Sequence, residues 1–201
     1  MIVQCKARAA FKTVLGYNYA SCISINNEVI HGIPSRKKYI NLGDIVKVDI
    51  GVAYKGYFSD ACRTFAIGNI SENAHSLIEA TQRSLDRGIA MLVPGNRLGD
   101  IGYEIETSVV SQRYFIVKNF FGHGIGFSLH EPPSIPHYGN KNTGVHLQEG
   151  MVLALEPVVN EGTEKVSFLD DGWTAVTADN SLSVQIEETI AVTERGPEVL
   201  T

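Results

Sequence analysis

Cysteine, tryptophan and long apolar runs are what this 201-residue chain has least of: three Cys, one Trp, and no apolar stretch longer than a few residues. Cys5, Cys22 and Cys62 are an odd, sparse set without CxxC spacing, which excludes a disulfide framework and fits a reducing cytoplasm. The densest apolar stretches, Met151–Leu155 and Ile89–Val93, fall far short of the roughly 18 residues that a membrane-spanning helix needs. Gln4, Lys6 and Arg8 interrupt the first ten residues, so the start does not have the pattern of a secretory signal. Basic residues are few as well: 17 Lys+Arg against 22 Asp+Glu give a net charge of −5, and the only basic run is Arg36, Lys37, Lys38. That balance argues against a nucleic-acid or anionic-membrane partner and leaves small or peptidic ones. What is present is enough for a core, with 44% hydrophobic and 19% charged residues. No linker, low-complexity tract or short repeat divides the chain, so residues 1–201 are expected to form one domain.

The pattern along the chain predicts a mixed α+β fold. Residues 4–15 contain neither Pro nor Gly and read as a helix. β-branched pieces from Cys22 to Ile33 are broken by Asn26–Asn27, and Ile45–Ala53 then alternates as a strand does. A second run, Tyr57–Ile67, follows Tyr54-Lys55-Gly56, which is a β-hairpin signal with Gly56 free to take positive φ. Leu77, Ile78, Leu85, Ile89 and Leu92 recur at helical spacing between Asn73 and Val93, where Pro94-Gly95 stops the pattern. A second helix is expected over 98–112 and a short strand over 114–117. After the Gly-rich loop 122–126 the chain reads as β: 151–159, the neighbourhood of Val166, 173–176 and 182–192.

Asp49 and Asp60 lie on the two arms of the predicted hairpin, and register decides whether they meet. A turn centred on Tyr54–Lys55 sets them directly opposite each other; one centred on Lys55–Gly56 makes them diagonal neighbours on one face. Two like charges so placed in an apolar hairpin repel each other unless a cation sits between them. Glu156 closes the apolar run Met151–Leu155 ahead of Pro157, and a carboxylate buried there needs a basic partner or a metal. In the last strand Ser183, Gln185, Glu187 and Thr189 form a polar face against Leu182, Val184, Ile186, Ile190 and Val192. Glu188 then falls among the apolar positions, where it reads as a strand-edge or salt-bridged residue. His123 sits in GHGIG and His130 seven residues later, and either alone reads as structural. One imidazole with four carboxylates makes an oxygen-rich set of charge −4, which balances two divalent cations. Two such cations roughly 3.5–4 Å apart hold a bridging water and lower its pKa, which points to hydrolysis by a bridging hydroxide.

The ordered motifs HGIPS (31–35), VDIGVAYKGYFSD (48–60), GHGIGFSLHEPP (122–133), LEP (155–157) and SVQIEETIAVT (183–193) resemble the type I methionine aminopeptidases, over nearly the whole chain from about residue 15. The resemblance implies the pita-bread fold, a curved antiparallel sheet with helices on its outer face. It implies Asp49, Asp60, His123, Glu156 and Glu187 as ligands of two divalent ions, for which Co, Mn, Fe and Zn are all suited. His130 and His31 would hydrogen-bond the scissile carbonyl and the substrate amide and stabilise the tetrahedral intermediate. Glu156 would also shuttle the proton from water to the leaving amine. Tyr17, Cys22, Leu129 and Trp173 fall where the family builds its methionine pocket, although the residues alone read Tyr17 and Trp173 as ordinary core. The activity implied is cytoplasmic removal of the initiator methionine from a peptide or nascent chain, met at the ribosome, whose second residue is small.

Four departures stand out. The chain begins after the N-terminal helical segment that family members usually carry, which would uncover apolar surface on the first half. A monomer is expected, with self-association through that surface as the alternative. The Tyr17–Cys22 loop is short, Leu129 stands where an aromatic is common and Glu188 where a His is common; these bear on pocket shape more than on metal binding. A catalytically weak peptide-binding paralogue on the same scaffold ranks second, favoured by the short start and opposed by the complete ligand set. A proline-directed (Xaa-Pro) peptidase ranks third, since DIG and HEPP also suit that branch while CISINNEVIHGIPS and DGWT (171–174) do not.

Overall fold

The computed structural model describes residues 2–201, and Met1 lies outside the described residues. The first stretch is not the helix that its composition predicts. Short 3-10 turns at Val3–Cys5 and Ala10–Thr13 flank strand β1 (Arg8–Ala9). Arg8 and Ala9 pair with Ala53 and Val52, and the Phe11 ring presses on Gly51, where a Cβ would come within 2.6 Å of a ring carbon. Strand pairing and burial of Phe11 override a helix propensity worth only tenths of a kcal/mol per residue.

β2 (Cys22–Ile25) ends in a turn in which Asn26 takes φ +50°, and β3 (Ile45–Tyr54) and β4 (Tyr57–Ala66) form the expected hairpin. Its turn is Lys55–Gly56, both at positive φ (50° and 89°), which matches the right-handed strand twist. β1 and β2 pair with β3, and β4 also lies against β3. Along β3 the odd-numbered residues are buried while the other face is half open: Ile50 is 38% exposed, and Phe65 of β4 is 50% exposed.

α1 (Glu72–Ala90) and α2 (Leu98–Val110) lie within two or three residues of their expected bounds. Ser71 Oγ accepts the Ala74 N–H at the start of α1, and the Asp100 carboxylate accepts the Arg97 N–H at the start of α2. Gly88 lets the helices close together, because a Cβ there would lie 2.7 Å from Ile105 Cδ1. Leu77, Leu85, Ile101, Ile105 and Val109 form the main core with Leu153, Leu155, Val159, Val184, Ile186 and Ile190 of the second-half sheets. Burying side chains of this size contributes roughly 1.5–3 kcal/mol each.

The remainder is β5 (Phe115–Ile116), β6 (Gly122–Gly124), β7 (Glu131–Ile135), β8 (Val152–Leu155), β9 (Val158–Asn160), β10 (Val166–Phe168), β11 (Ala175–Thr177), β12 (Ser183–Gln185), β13 (Glu188–Thr193) and β14 (Gly196–Val199). They pair as β14-β13-β8-β6-β7, β12-β9-β5 and β10-β11. Two strands expected to be continuous are broken: 151–159 at Glu156-Pro157, and 182–192 at Ile186-Glu187. Pro157 has no N–H to give a ladder, so the chain leaves one sheet and joins another at that point.

The break at Ile186-Glu187 ties β4 to the second-half sheets. The Glu187 N–H donates to the Cys62 carbonyl (2.9 Å), and Arg63 Nη1 donates to the Glu187 carbonyl (2.6 Å). Thr189 Oγ1 accepts the Asp60 N–H (3.0 Å) and donates to the Asp60 carbonyl (2.8 Å). Lys47, 1% exposed, adds a further tie by donating to the Asn26 and Ser183 carbonyls (2.8 and 2.6 Å). Burial lowers its ammonium to about 7. A fully buried lysine on a strand carries no signal in the local pattern.

Candidate metal centre

The β3–β4 register pairs Asp49 with Cys62 and Gly51 with Asp60, so the two aspartates are diagonal neighbours on the buried face, as a turn at Lys55–Gly56 requires. The Cys62–Glu187 bridge carries Glu187 to the same place. Carboxylate oxygens of Asp49, Asp60 and Glu187 lie within 4.8 Å of one another. His123 on β6 pairs with Ala154 on β8, and Glu156 follows two residues later at the strand break. His123 Nε2 is 3.6 Å from Glu156 Oε1, and donor atoms of His123, Glu156 and Glu187 form a second cluster within 4.8 Å. The five residues singled out in the sequence thus converge from three strands and two strand breaks.

Several observations fit a divalent cation to these donors. Asp49 Oδ1 and Glu187 Oε1 are buried and have no hydrogen-bond partner among the described residues. An unsatisfied buried carboxylate is costly, so a missing partner is implied. Among the described residues no Lys or Arg lines the cavity around them. His123 Nδ1 lies 2.9 Å from the Gly124 carbonyl, which can only accept, so the ring proton sits there and Nε2 keeps its lone pair toward the carboxylates. Gln185 Nε2 donates to Glu156 Oε2 (3.2 Å), and the Glu156 N–H donates to His137 Nε2 (3.2 Å), so Glu156 is held at both ends.

Burial and mutual repulsion both act on the acids. Burial raises Asp60 to about 7. Burial, and then the charge of Asp60, holds Asp49, Glu156 and Glu187 well above the usual carboxylate range. Burial lowers His123 and His31 to about 4 and His137 to about 3, which leaves all three neutral.

A cavity of about 360 Å³ opens on these groups, within the range of small-ligand sites. Phe11, Val14, Tyr17, Cys22, Ile30 and Trp173 give it an apolar lining. Tyr17 and Trp173 meet edge to face with ring centroids 5.0 Å apart. The Tyr17 hydroxyl donates to the Ser21 carbonyl, and burial pushes the Tyr17 phenol and the Cys22 thiol up, so both remain neutral. The Asp171 carboxylate accepts from the Trp173 and Thr174 N–H groups, which closes the DGWT turn and sets the indole. Leu129 packs in the apolar cluster with Phe11, Tyr17 and Cys22 but is absent from the cavity lining.

His31 takes φ +58° and meets Phe120 and Trp173 edge to face (6.0 and 6.3 Å). Its loop is pinned where Gly32 donates to Ser24 Oγ; a Cβ at Gly32 would lie 2.2 Å from the Ile23 carbonyl oxygen. His130 is exposed at the cavity, its ring centroid 4.4 Å from that of His123. His31 borders the acidic cluster, and a His130 ring nitrogen lies within 4.8 Å of donor atoms of Asp60 and His123 at its open side. Glu188 forms an ion pair with Arg63 (2.7 Å), in keeping with a salt-bridged residue at a strand start. Sequence reasoning passed over Asn119, Phe120, Ser134 and Gln185 on the lining and His137 behind it. Of these only Gln185 had a signal, its place on the polar face with Glu187.

Comparison with known proteins gives concordant results. The model of metallopeptidase family M24 matches residues 2–194. A methionine aminopeptidase of Clostridium perfringens is 48% identical over 97% of this chain and 78% of its own length. Methionine aminopeptidase 1 of Bacillus subtilis is 43% identical over 96% and 77%. The crystal structure of methionine aminopeptidase from Thermotoga maritima superposes with a TM-score of 0.97 at 43% identity, covering 98% of this chain and 80% of that one. Prolidase from Pyrococcus furiosus is more distant, with a TM-score of 0.72 at 26% identity over 90% of this chain and 48% of its own.

Proposed function

The chain belongs to metallopeptidase family M24 and has the pita-bread fold, and from that premise we propose that it is a metal-dependent aminopeptidase that hydrolyses the N-terminal methionine from polypeptides whose second residue is small. One observation carries the reading: four buried or nearly buried carboxylates and an oriented imidazole, with no Lys or Arg among them, adjoin an apolar cavity of side-chain size. Asp49, Asp60, His123, Glu156 and Glu187 are the proposed ligands, of two divalent ions, with residues 2–201 acting as one catalytic unit. When bound, the cations supply charge neutralisation, polarisation of the scissile carbonyl and a lowered pKa for water.

The chain's own groups do the rest. Phe11, Tyr17, Cys22 and Trp173 would enclose the methionine side chain, with Leu129 as backing rather than wall. Glu156 would take a proton from the attacking water at Oε1 or Oε2 and pass it to the leaving amine, since its carboxylate lines the cavity beside His123. His130 and His31 would donate hydrogen bonds to the substrate carbonyl oxygen and amide region, each from a ring held beside the cluster. His130→Ala is expected to leave metal content unchanged, because an exposed ring adds little to a five-donor set, and to lower kcat about 10²-fold. Atomic-absorption metal analysis beside steady-state kinetics checks this, and loss of metal would assign His130 to the ligands. The proposed setting is the cytoplasm, with a monomer acting on nascent chains.

The test is release of the first residue from a Met-Gly-Ser peptide by purified protein with Mn²⁺ or Co²⁺, with an Ala-Pro peptide alongside. Cleavage of the first alone is expected. Cleavage of the Xaa-Pro peptide alone would move the chain to the prolidase branch, and folded, metal-loaded protein inert on both would make it a peptide binder.

A further inference from the structure

Behind Glu156 lies a group that the proposed reaction does not use. His137, 1% exposed, follows β7 and sets its ring against the break between β8 and β9. At that break Glu156 belongs to neither ladder and Pro157 follows, so the Glu156 N–H needs an acceptor from elsewhere. His137 Nε2 supplies it at 3.2 Å. The ring occupies space that a side chain at Gly122 would otherwise contest, since a Cβ there would lie 3.3 Å from Nε2. It is therefore wedged between the residue that precedes His123 and the backbone of Glu156. Because Nε2 accepts, the ring proton must be on Nδ1, and Nδ1 has no partner among the described residues. An unpaired buried donor is destabilising, and a nonpolar side chain would avoid that cost. The polar ring is explained by what its other nitrogen holds.

We infer that His137 is a positioning residue for the proposed reaction: by accepting the Glu156 N–H while packed against Gly122, it sets the spacing between β6 and the strand break and aims the Glu156 carboxylate at His123 and Gln185. The inference rests on the reading of Glu156 as ligand and proton carrier. Removing the acceptor frees the peptide at Glu156 to rotate, and its carboxylate loses a fixed distance to His123. Groups that orient metal ligands in this way typically change metal affinity or activity about 10–100-fold when removed. Ground-state binding of the methionine side chain depends on the far, apolar part of the cavity and is untouched.

The experiment compares His137→Phe, His137→Gln and His137→Asn in the full chain. Gln can place an acceptor oxygen where Nε2 stands, Asn is too short to reach, and Phe keeps the ring without the acceptor. Three readouts are taken: Mn²⁺ affinity of the metal-free protein by calorimetry, kcat and KM on the Met-Gly-Ser peptide at saturating Mn²⁺, and Tm. Phe is expected to lower kcat about 10–100-fold and weaken Mn²⁺ about tenfold, with KM within about twofold, while Gln recovers most of both. If Phe does not fold, the Gln and Asn variants decide it, with Gln active and Asn impaired. Wild-type kcat and Mn²⁺ affinity in folded Phe or Asn variants would overturn the inference, as would equal impairment of Gln and Asn. Wild-type protein that neither binds Mn²⁺ nor cleaves the peptide would instead overturn the reading of the site itself.

Discussion

Glu156→Gln is expected to lower kcat for Met-Gly-Ser by about 10³–10⁴-fold, the largest single effect on turnover, while the protein stays folded. The amide has nearly the shape of the acid and its oxygen can still accept from Gln185 Nε2, which now reaches Oε2 at 3.2 Å. Its backbone N–H still meets His137. What is lost is a group able to take a proton and release it. That function depends on the place of Glu156 at the strand break, where its carboxylate lines the cavity beside His123. A loss of this size is about 4–5.5 kcal/mol of transition-state stabilisation. Stopped assays at saturating Mn²⁺, with Mn²⁺ affinity measured in parallel, separate a lost proton carrier from a lost ligand. A variant within tenfold of wild-type kcat would remove Glu156 from proton transfer.

Asp60→Asn is expected to stabilise the metal-free protein and to abolish its stabilisation by metal. Asp60 is buried beside Asp49, Glu156 and Glu187, and its folded-state pKa is raised from about 4 to about 7. The sign follows from linkage. Between those values the folded state binds the proton that the unfolded state has lost, so this group's contribution is full below about pH 4 and is lost as pH rises through 7. Other groups titrate with the opposite sign. His31 and His123, lowered to about 4, favour the fold increasingly up to about pH 6.5, and Lys47, lowered to about 7, does so above that. Comparing variant with wild type at each pH cancels those terms and leaves Asp60 together with the relief its neutralisation gives Asp49, Glu156 and Glu187. In the metal-free proteins the variant should melt higher at pH 8, by about 2–4 °C for each kcal/mol of repulsion relieved, and the gap should close at pH 5. With Mn²⁺ the order should invert, because wild type gains RT ln(1 + [L]/Kd) and the variant does not. Thermal unfolding with and without EDTA reads both. An equal Mn²⁺-induced rise in the two proteins would remove Asp60 from the ligand set.

The legible parts of this site are the ones whose signal is local. Gly56 at a two-residue turn marks the hairpin, and period-two alternation puts Asp49 and Asp60 on one face. Helical spacing up to Pro94-Gly95 marks the first helix, which ends at Ala90. Glu156 announces itself by its place between an apolar run and a proline. The helix expected over 4–15 failed because Arg8, Ala9 and Phe11 have partners at residues 51–53, some forty positions away, and no local propensity contains that information. The same holds for the two interrupted strands. Alternation in 182–192 is correct on each side of Glu187, but the break at Ile186-Glu187 exists because Glu187 bonds to Cys62 across the molecule.

By itself, then, the sequence pointed to the candidate donors, the hairpin that pairs two of them, the two long helices, and the likeness to a metallopeptidase family. It left open which hairpin register the chain takes, and it was silent on Lys47 and His137. Tertiary structure decided those points. Periodicity reports only what neighbours within a few residues share, a face or a turn. Convergence of residues 49, 60, 123, 156 and 187 depends instead on pairings between distant strands, and their free energy appears only when the β4 hairpin arm is closed against the junction of β12 and β13.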